Sequence, residues 1–165
     1  ILQHPLKTSR KSIIASVIGK DSGQWLKTIV IDKGSNQGLV ENSAVVTNLG
    51  ILGQVIEANP KSSKILLISD SRSAVDAIFQ KSREPGVVFG SGEQICEMRY
   101  VSMEADIQKG DQIISSGVGG IFPKGLAVGT VSKIIKKKQG LFQEIQVMPS
   151  VDFSRLEEML VLIPN

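Results

Sequence analysis

The hydrophobic positions fall in short runs, and each run is closed by Gly, Pro, Asn, Asp or Ser. Residues 13–18 stop at Gly19, residues 26–31 at Asp32-Lys33-Gly34, and residues 44–47 at Asn48-Leu49-Gly50. Comparable runs occupy 51–56, 64–69, 75–79 and 87–89, and the texture repeats at 97–101, 112–115, 126–134, 142–148 and 159–163. Short β-branched runs with regular turn punctuation predict the strands of a sandwich or barrel. No window keeps a 3.6-residue apolar period long enough to specify a helix. The best helical turn is 152–156, with Asp152 as its cap.

The pattern also divides the chain. Residues 1–12 are polar, contain Pro5 and three cations (Lys7, Arg10, Lys11), and read as a lead-in rather than a core element. A weak repeat follows. Residues 39–46 lead to Gly53-Gln54-Val55, and residues 107–114 lead to Gly129-Thr130-Val131. Each copy is a polar turn, an apolar strand, a glycine loop and a second strand opening on Gly-x-Val, with a longer loop in the second copy. The expected architecture is therefore all-β, with two small six-stranded barrel-like domains and little helix. The first spans residues 13–82 and the second 83–165, with the last strand, 159–163, free to belong to either.

Composition narrows the function classes. Hydrophobic residues make up 41% of the 165, enough for a packed core. Aromatics are only 4%, so stacking platforms for bases are scarce, and the 19 Lys and Arg are interleaved with 16 Asp and Glu. Nucleic-acid binding is disfavoured on both counts. The densest cationic run, Lys136-Lys137-Lys138, reads as a solvated hairpin tip; its sharper reading is contact with anionic lipid head groups. A single cysteine, Cys96, excludes an internal disulfide and sits in an alternating run as a small hydrophobe. No stretch approaches the ~20 apolar residues of a membrane span. The chain opens on Ile1 rather than Met, so that absence carries nothing about an anchor upstream.

Catalytic and metal chemistry find little support. The sole histidine, His4, lies in the lead-in, far in sequence from Ser115-Ser116-Gly117, the one segment that looks superficially like a nucleophile context. One Cys and one His cannot build a structural zinc site. Asp70, Asp76, Glu84, Asp106 and Asp111 are spread over different turns without calcium-loop spacing. Gly117-Val118-Gly119-Gly120 is the most glycine-dense stretch, but Ile121-Phe122-Pro123 follows it instead of a helix with Lys and Ser. That is not a phosphate loop. No cofactor or metal is expected. The loop's apolar members, Val118, Ile121 and Phe122, either fold back to plug a barrel end or form an exposed patch. The candidate self-association or partner surface is accordingly Val118, Gly119, Gly120, Ile121 and Phe122.

The turn signals form a recognisable series. It comprises Asp32-Lys33-Gly34 through Gly38, Gly50 through Gly53-Gln54-Val55, and the strand ending at Asp70. Gly110-Asp111 through Ser115-Ser116-Gly117 and Pro123-Lys124-Gly125 through Gly129 follow, and then the closing Pro149, Asp152 and Leu156. In order and spacing, over about residues 13–163, the chain resembles the rod shape-determining protein MreC family, with Ser115 where Thr is usual. The structural turns that carry the likeness are Gly34, Gly38, Gly53, Asp70, Gly110, Asp111, Ser116, Gly117, Pro123, Gly125 and Gly129.

The resemblance implies two β-barrel-like domains, a membrane anchor and coiled coil upstream, a periplasmic location beside the inner membrane, and no catalytic residues. It further implies a scaffold of the elongation machinery that forms dimers or filaments. Expected partners are MreD, the MreB filament and peptidoglycan-synthesising enzymes, including a class B penicillin-binding protein. The residues alone also fit a periplasmic adaptor of an efflux or secretion assembly. The expected route to assembly is pairing of exposed strand edges or apolar loops between copies.

Overall fold

A computed structural model describes residues 11–21, 27–137 and 139–164. The lead-in up to residue 10, His4 included, and the start of the run at 26 lie outside the described residues. Twelve strands are present and, among the described residues, no α-helix. Two short 3-10 turns occur, at Ser35–Gln37 and Phe153–Arg155. The second begins at Asp152, whose carboxylate accepts the Ser154 N–H at 3.0 Å.

The strands close into two antiparallel six-stranded barrels. The first contains β1 (Lys11–Lys20), β2 (Thr28–Ile31), β3 (Ala44–Thr47), β4 (Gly50–Ala58), β5 (Ser63–Leu67) and β12 (Glu158–Ile163) in the order β1-β12-β3-β4-β5-β2. The second contains β6 (Ala74–Phe79), β7 (Pro85–Gly90), β8 (Cys96–Ser102), β9 (Gln112–Ser115), β10 (Ala127–Ile135) and β11 (Phe142–Pro149) in the order β10-β11-β8-β7-β6-β9. The expected boundary at residue 82 is therefore displaced. Strand β6 pairs with β7 and β9, so the chain crosses between barrels after Leu67 and before Ala74. It crosses back after β11, and β12 completes the first barrel between β1 and β3.

On β6 and β11 of the second barrel, strand period and burial agree. Along β6, Val75, Ala77 and Phe79 are buried while Asp76 and Ile78 are more open; along β11, Gln143, Ile145 and Val147 point inward. The first barrel is less regular because some of its strands are covered on both faces. On β3, Val45 belongs to the first barrel's own core, whereas Ala44 and Val46 join Ile51 and Leu162 in the core that continues into the second barrel. Strands buried on both faces lose their alternation and read as continuous apolar runs. The barrels thus share packed hydrophobic surface along one seam.

Two features fix that architecture. A side chain at Gly53 would place its Cβ 2.0 Å from the Leu66 carbonyl oxygen, and one at Gly129 would sit 2.4 Å from the Met148 carbonyl oxygen. These glycines, the first members of the Gly-x-Val segments of the internal repeat, lie inside β4 and β10 and do the same job in each barrel: a neighbouring backbone crosses where any Cβ would stand. The second feature is Asp70, fully buried at the crossover. Its carboxylate accepts the backbone N–H of Lys27 and of Arg72, both at 2.8 Å, and the Arg72 guanidinium at 3.0 and 2.9 Å. Burial alone would raise its pKa, but the guanidinium and the two N–H groups outweigh burial and hold the carboxyl below the usual range.

Candidate interaction surface

The glycine-rich loop is a plug. Phe122 is only 6% exposed and packs into the second barrel's core, and Ile121 lies partly buried against the same cluster. The buried Ser115 hydroxyl fastens the loop by donating to the Pro123 carbonyl and accepting the Leu126 N–H at 2.9 Å. Ser116 accepts the Val118 N–H at 3.2 Å. Of the five residues expected to form a contact surface, Gly119 and Gly120 carry no side chain, Ile121 and Phe122 face inward, and Val118, 70% exposed, is the large one left outside. An aromatic ring over a barrel end buries more apolar area inside than a loop could present outside.

The remaining turn residues sit where the turns require. Gly34, Gly38, Gly110, Gly117 and Gly125 lie between strands, and Asp111 accepts the Gln108 N–H at 2.9 Å. Cys96 is buried, its thiol within 3.6 Å of the Ile68 carbonyl, and desolvation pushes its pKa up to about 12. Such a thiol is a packing group and not a nucleophile. Among the described residues no cluster of His, Cys, Asp and Glu is arranged to hold a metal ion. No helix among them is long and apolar enough to cross a membrane. Because both sheets close on themselves, strand-edge pairing between copies lacks the long free edge it needs.

A different surface stands out on the second barrel. Opposite β11, strand β8 carries one residue too many. Met98 pairs with Ile145 and Val101 with Gln143, so Arg99 and Tyr100 together face Glu144. This is a β-bulge, and it holds Tyr100 at φ 65°, in the left-handed region that disfavours a bulky side chain by about 1–2 kcal/mol. The bulge turns both side chains outward. Tyr100 is 55% exposed and stands edge-on between two rings: Phe142 of β11 at 5.8 Å and Phe89 of β7 at 6.3 Å between centroids. Arg99 lies over the Phe89 ring at 4.7 Å and is anchored to Glu97 at 3.1 Å.

Three of the chain's seven aromatic residues therefore form one solvent-facing ladder across β7, β8 and β11. Exposed aromatics with a guanidinium stacked on one of their rings have the composition of a protein-binding hot spot. Sequence reading missed this surface because the three rings are 11 and 42 residues apart along the chain and meet only through strand register. One local signal was present: apolar Met98 and Val101 are three positions apart, breaking the two-residue period at the bulge.

Residues 17–163 match the family model described as rod shape-determining protein MreC, barrel core. A cell shape-determining protein MreC of Listeria monocytogenes is 33% identical over 153 residues, covering 90% of this chain and 52% of the relative. The chain spans about half the length of the curated relatives it matches. The crystal structure of MreC from Pseudomonas aeruginosa superposes with a TM-score of 0.88 at 31% identity, covering 92% of this chain and 98% of that one. A complex between a penicillin-binding protein (PBP2) and MreC from Helicobacter pylori shares the fold, with a TM-score of 0.73 at 20% identity over 94% of this chain and 100% of that one.

Proposed function

Since the chain belongs to the rod shape-determining protein MreC family, we propose that it is a non-catalytic scaffold of the cell-elongation machinery that binds a class B penicillin-binding protein through the aromatic face of its second barrel. The observation that carries this reading is the ladder Phe89–Tyr100–Phe142, built on a bulge that buries Met98 and Val101 in the barrel and leaves Tyr100 outside at a positive φ. Strain held at an exposed position is a mark of a functional surface. The Helicobacter pylori relative, in complex with PBP2, supports the class of partner. The periplasmic location, the inner-membrane anchor and the contacts with MreD and MreB follow from the family resemblance.

In the mechanism proposed, the synthase inserts apolar side chains between the rings while Arg99, pre-positioned by Glu97 and Phe89, meets a carboxylate or carbonyl. The closed barrels supply rigidity, so little ordering cost falls on binding. Dimers or filaments are what the family resemblance implies, and to such a contact the 117–125 loop would offer Val118 as its one large, strongly exposed side chain. The test is a calorimetric titration of the purified chain with the periplasmic region of a penicillin-binding protein from the same organism. Phe142→Ser is expected to weaken binding by about tenfold or more. Unchanged affinity in both Phe142→Ser and Tyr100→Ser would refute the assignment.

A further inference from the structure

The lysine run between β10 and β11 takes no part in the aromatic ladder, yet its surroundings are unusual. Residues 133–144 hold four lysines against one glutamate. That local excess equals the net charge of the whole chain, +3. Lys133, Lys136 and Lys137 are exposed, and the Lys137 ammonium keeps only a loose 3.5 Å pairing with Glu144, its side chain 65% exposed. Three residues past the last lysine stands Leu141, 79% exposed, the most exposed large hydrophobic residue among those described. A hairpin tip that presents an uncovered Leu framed by cations pairs an apolar wedge with a basic collar.

We infer that this tip contacts the surface of an anionic phospholipid bilayer, with Leu141 entering the head-group boundary and Lys133, Lys136 and Lys137 meeting the phosphates. Charge complementarity selects this occupant. A protein groove would accept Leu141 without needing a surplus of exposed lysines, whereas an anionic lipid surface favours each cation and each buried methylene independently. Lysine stems also lie along apolar surface while their ammonium groups stay at the phosphates. The contact is weak and salt-dependent, suited to orienting the second barrel beside a membrane rather than anchoring it. It does not depend on the synthase reading, because Leu141 and the lysines lie outside the Phe89–Tyr100–Phe142 ladder.

The test is co-sedimentation of the chain with vesicles of phosphatidylglycerol and phosphatidylcholine, against vesicles of phosphatidylcholine alone, at low and physiological salt. The expected result is partition onto the anionic vesicles that falls with salt. The paired substitution Lys136→Glu and Lys137→Glu lowers it by about tenfold or more, since each cation near such a surface contributes roughly fivefold. Leu141→Ser lowers partition at both salt concentrations. Both changes are on exposed side chains, and both variants retain wild-type affinity for the penicillin-binding protein. Wild-type chain that ignores anionic vesicles, or binds neutral ones equally, overturns the inference. So do variants that partition like wild type. Loss of synthase affinity in these variants, with vesicle partition unchanged, would place the tip in a protein interface and overturn it as well.

Discussion

The two barrels share strand number and antiparallel closure but differ in how the chain builds them. The second is continuous, from β6 to β11, and keeps a clean inward-outward alternation along β6 and most of β11, broken on β8 by the bulge. The first is assembled from β1 to β5 and closed by β12 from the far end of the chain, and its β3 is apolar on both faces. The difference separates their tasks. The first barrel spends one side of its sheet on the seam and depends on a distant strand for closure. The second has an outer face free to carry the aromatic ladder. Fold integrity is thus concentrated at the seam and the crossover, and the proposed partner surface lies at a bulge on the second barrel's outer face.

The sharpest way to break the symmetry is to remove β12. Without residues 158–165 the first barrel loses both ladders that join β1 to β3, along with the buried Met159, Val161 and Leu162. Backbone amides of β1 to β4 are expected to lose exchange protection, while those of β6 to β11 stay slow. Uniform loss of protection would show the barrels to be one cooperative unit.

A smaller effect is expected at the crossover. Asp70→Ala leaves the Lys27 and Arg72 N–H groups and a guanidinium without their acceptor, at a cost of about 3 kcal/mol in denaturant unfolding. The sign with pH follows from the lowered pKa of the folded carboxyl. Its contribution is fully present above the unfolded value of about 4 and is lost as pH falls through the folded value. Wild-type stability should therefore decline on acidification below about pH 4, and Asp70→Asn should flatten that slope.

The smallest effect on stability should come from the recognition surface. Asn tolerates a positive φ, so Tyr100→Asn trades relief of strain against two lost ring contacts and should change stability by no more than about 1 kcal/mol. Tyr100→Val puts a β-branched residue at the same backbone angle and should cost about 2 kcal/mol. Thermal melts distinguish the two. Equal losses would mean that the rings, and not the bulge, dominate the energetics there.

Much of this fold is legible in the sequence. The twelve apolar runs correspond to the twelve strands, most clearly where one face is buried, as in β6 and β11. Which strand joins which barrel is not legible. The turn at 80–84 carries the same signals whether it ends a domain or joins the β6–β7 hairpin, and only pairing decides. For the same reason local spacing leaves Phe122 either a plug or a contact residue: it shows a glycine loop with apolar members, but not that a core lies beneath it. The aromatic ladder depends on register between three strands and so lies beyond any local pattern.

The most direct test of the central claim is a hydrogen-exchange footprint of this chain with a bound penicillin-binding protein from the same organism. The account predicts new protection confined to β7, the bulge at Arg99–Tyr100 and the start of β11, with the first barrel unchanged. Protection centred on the first barrel, or on the 117–125 loop, would contradict it.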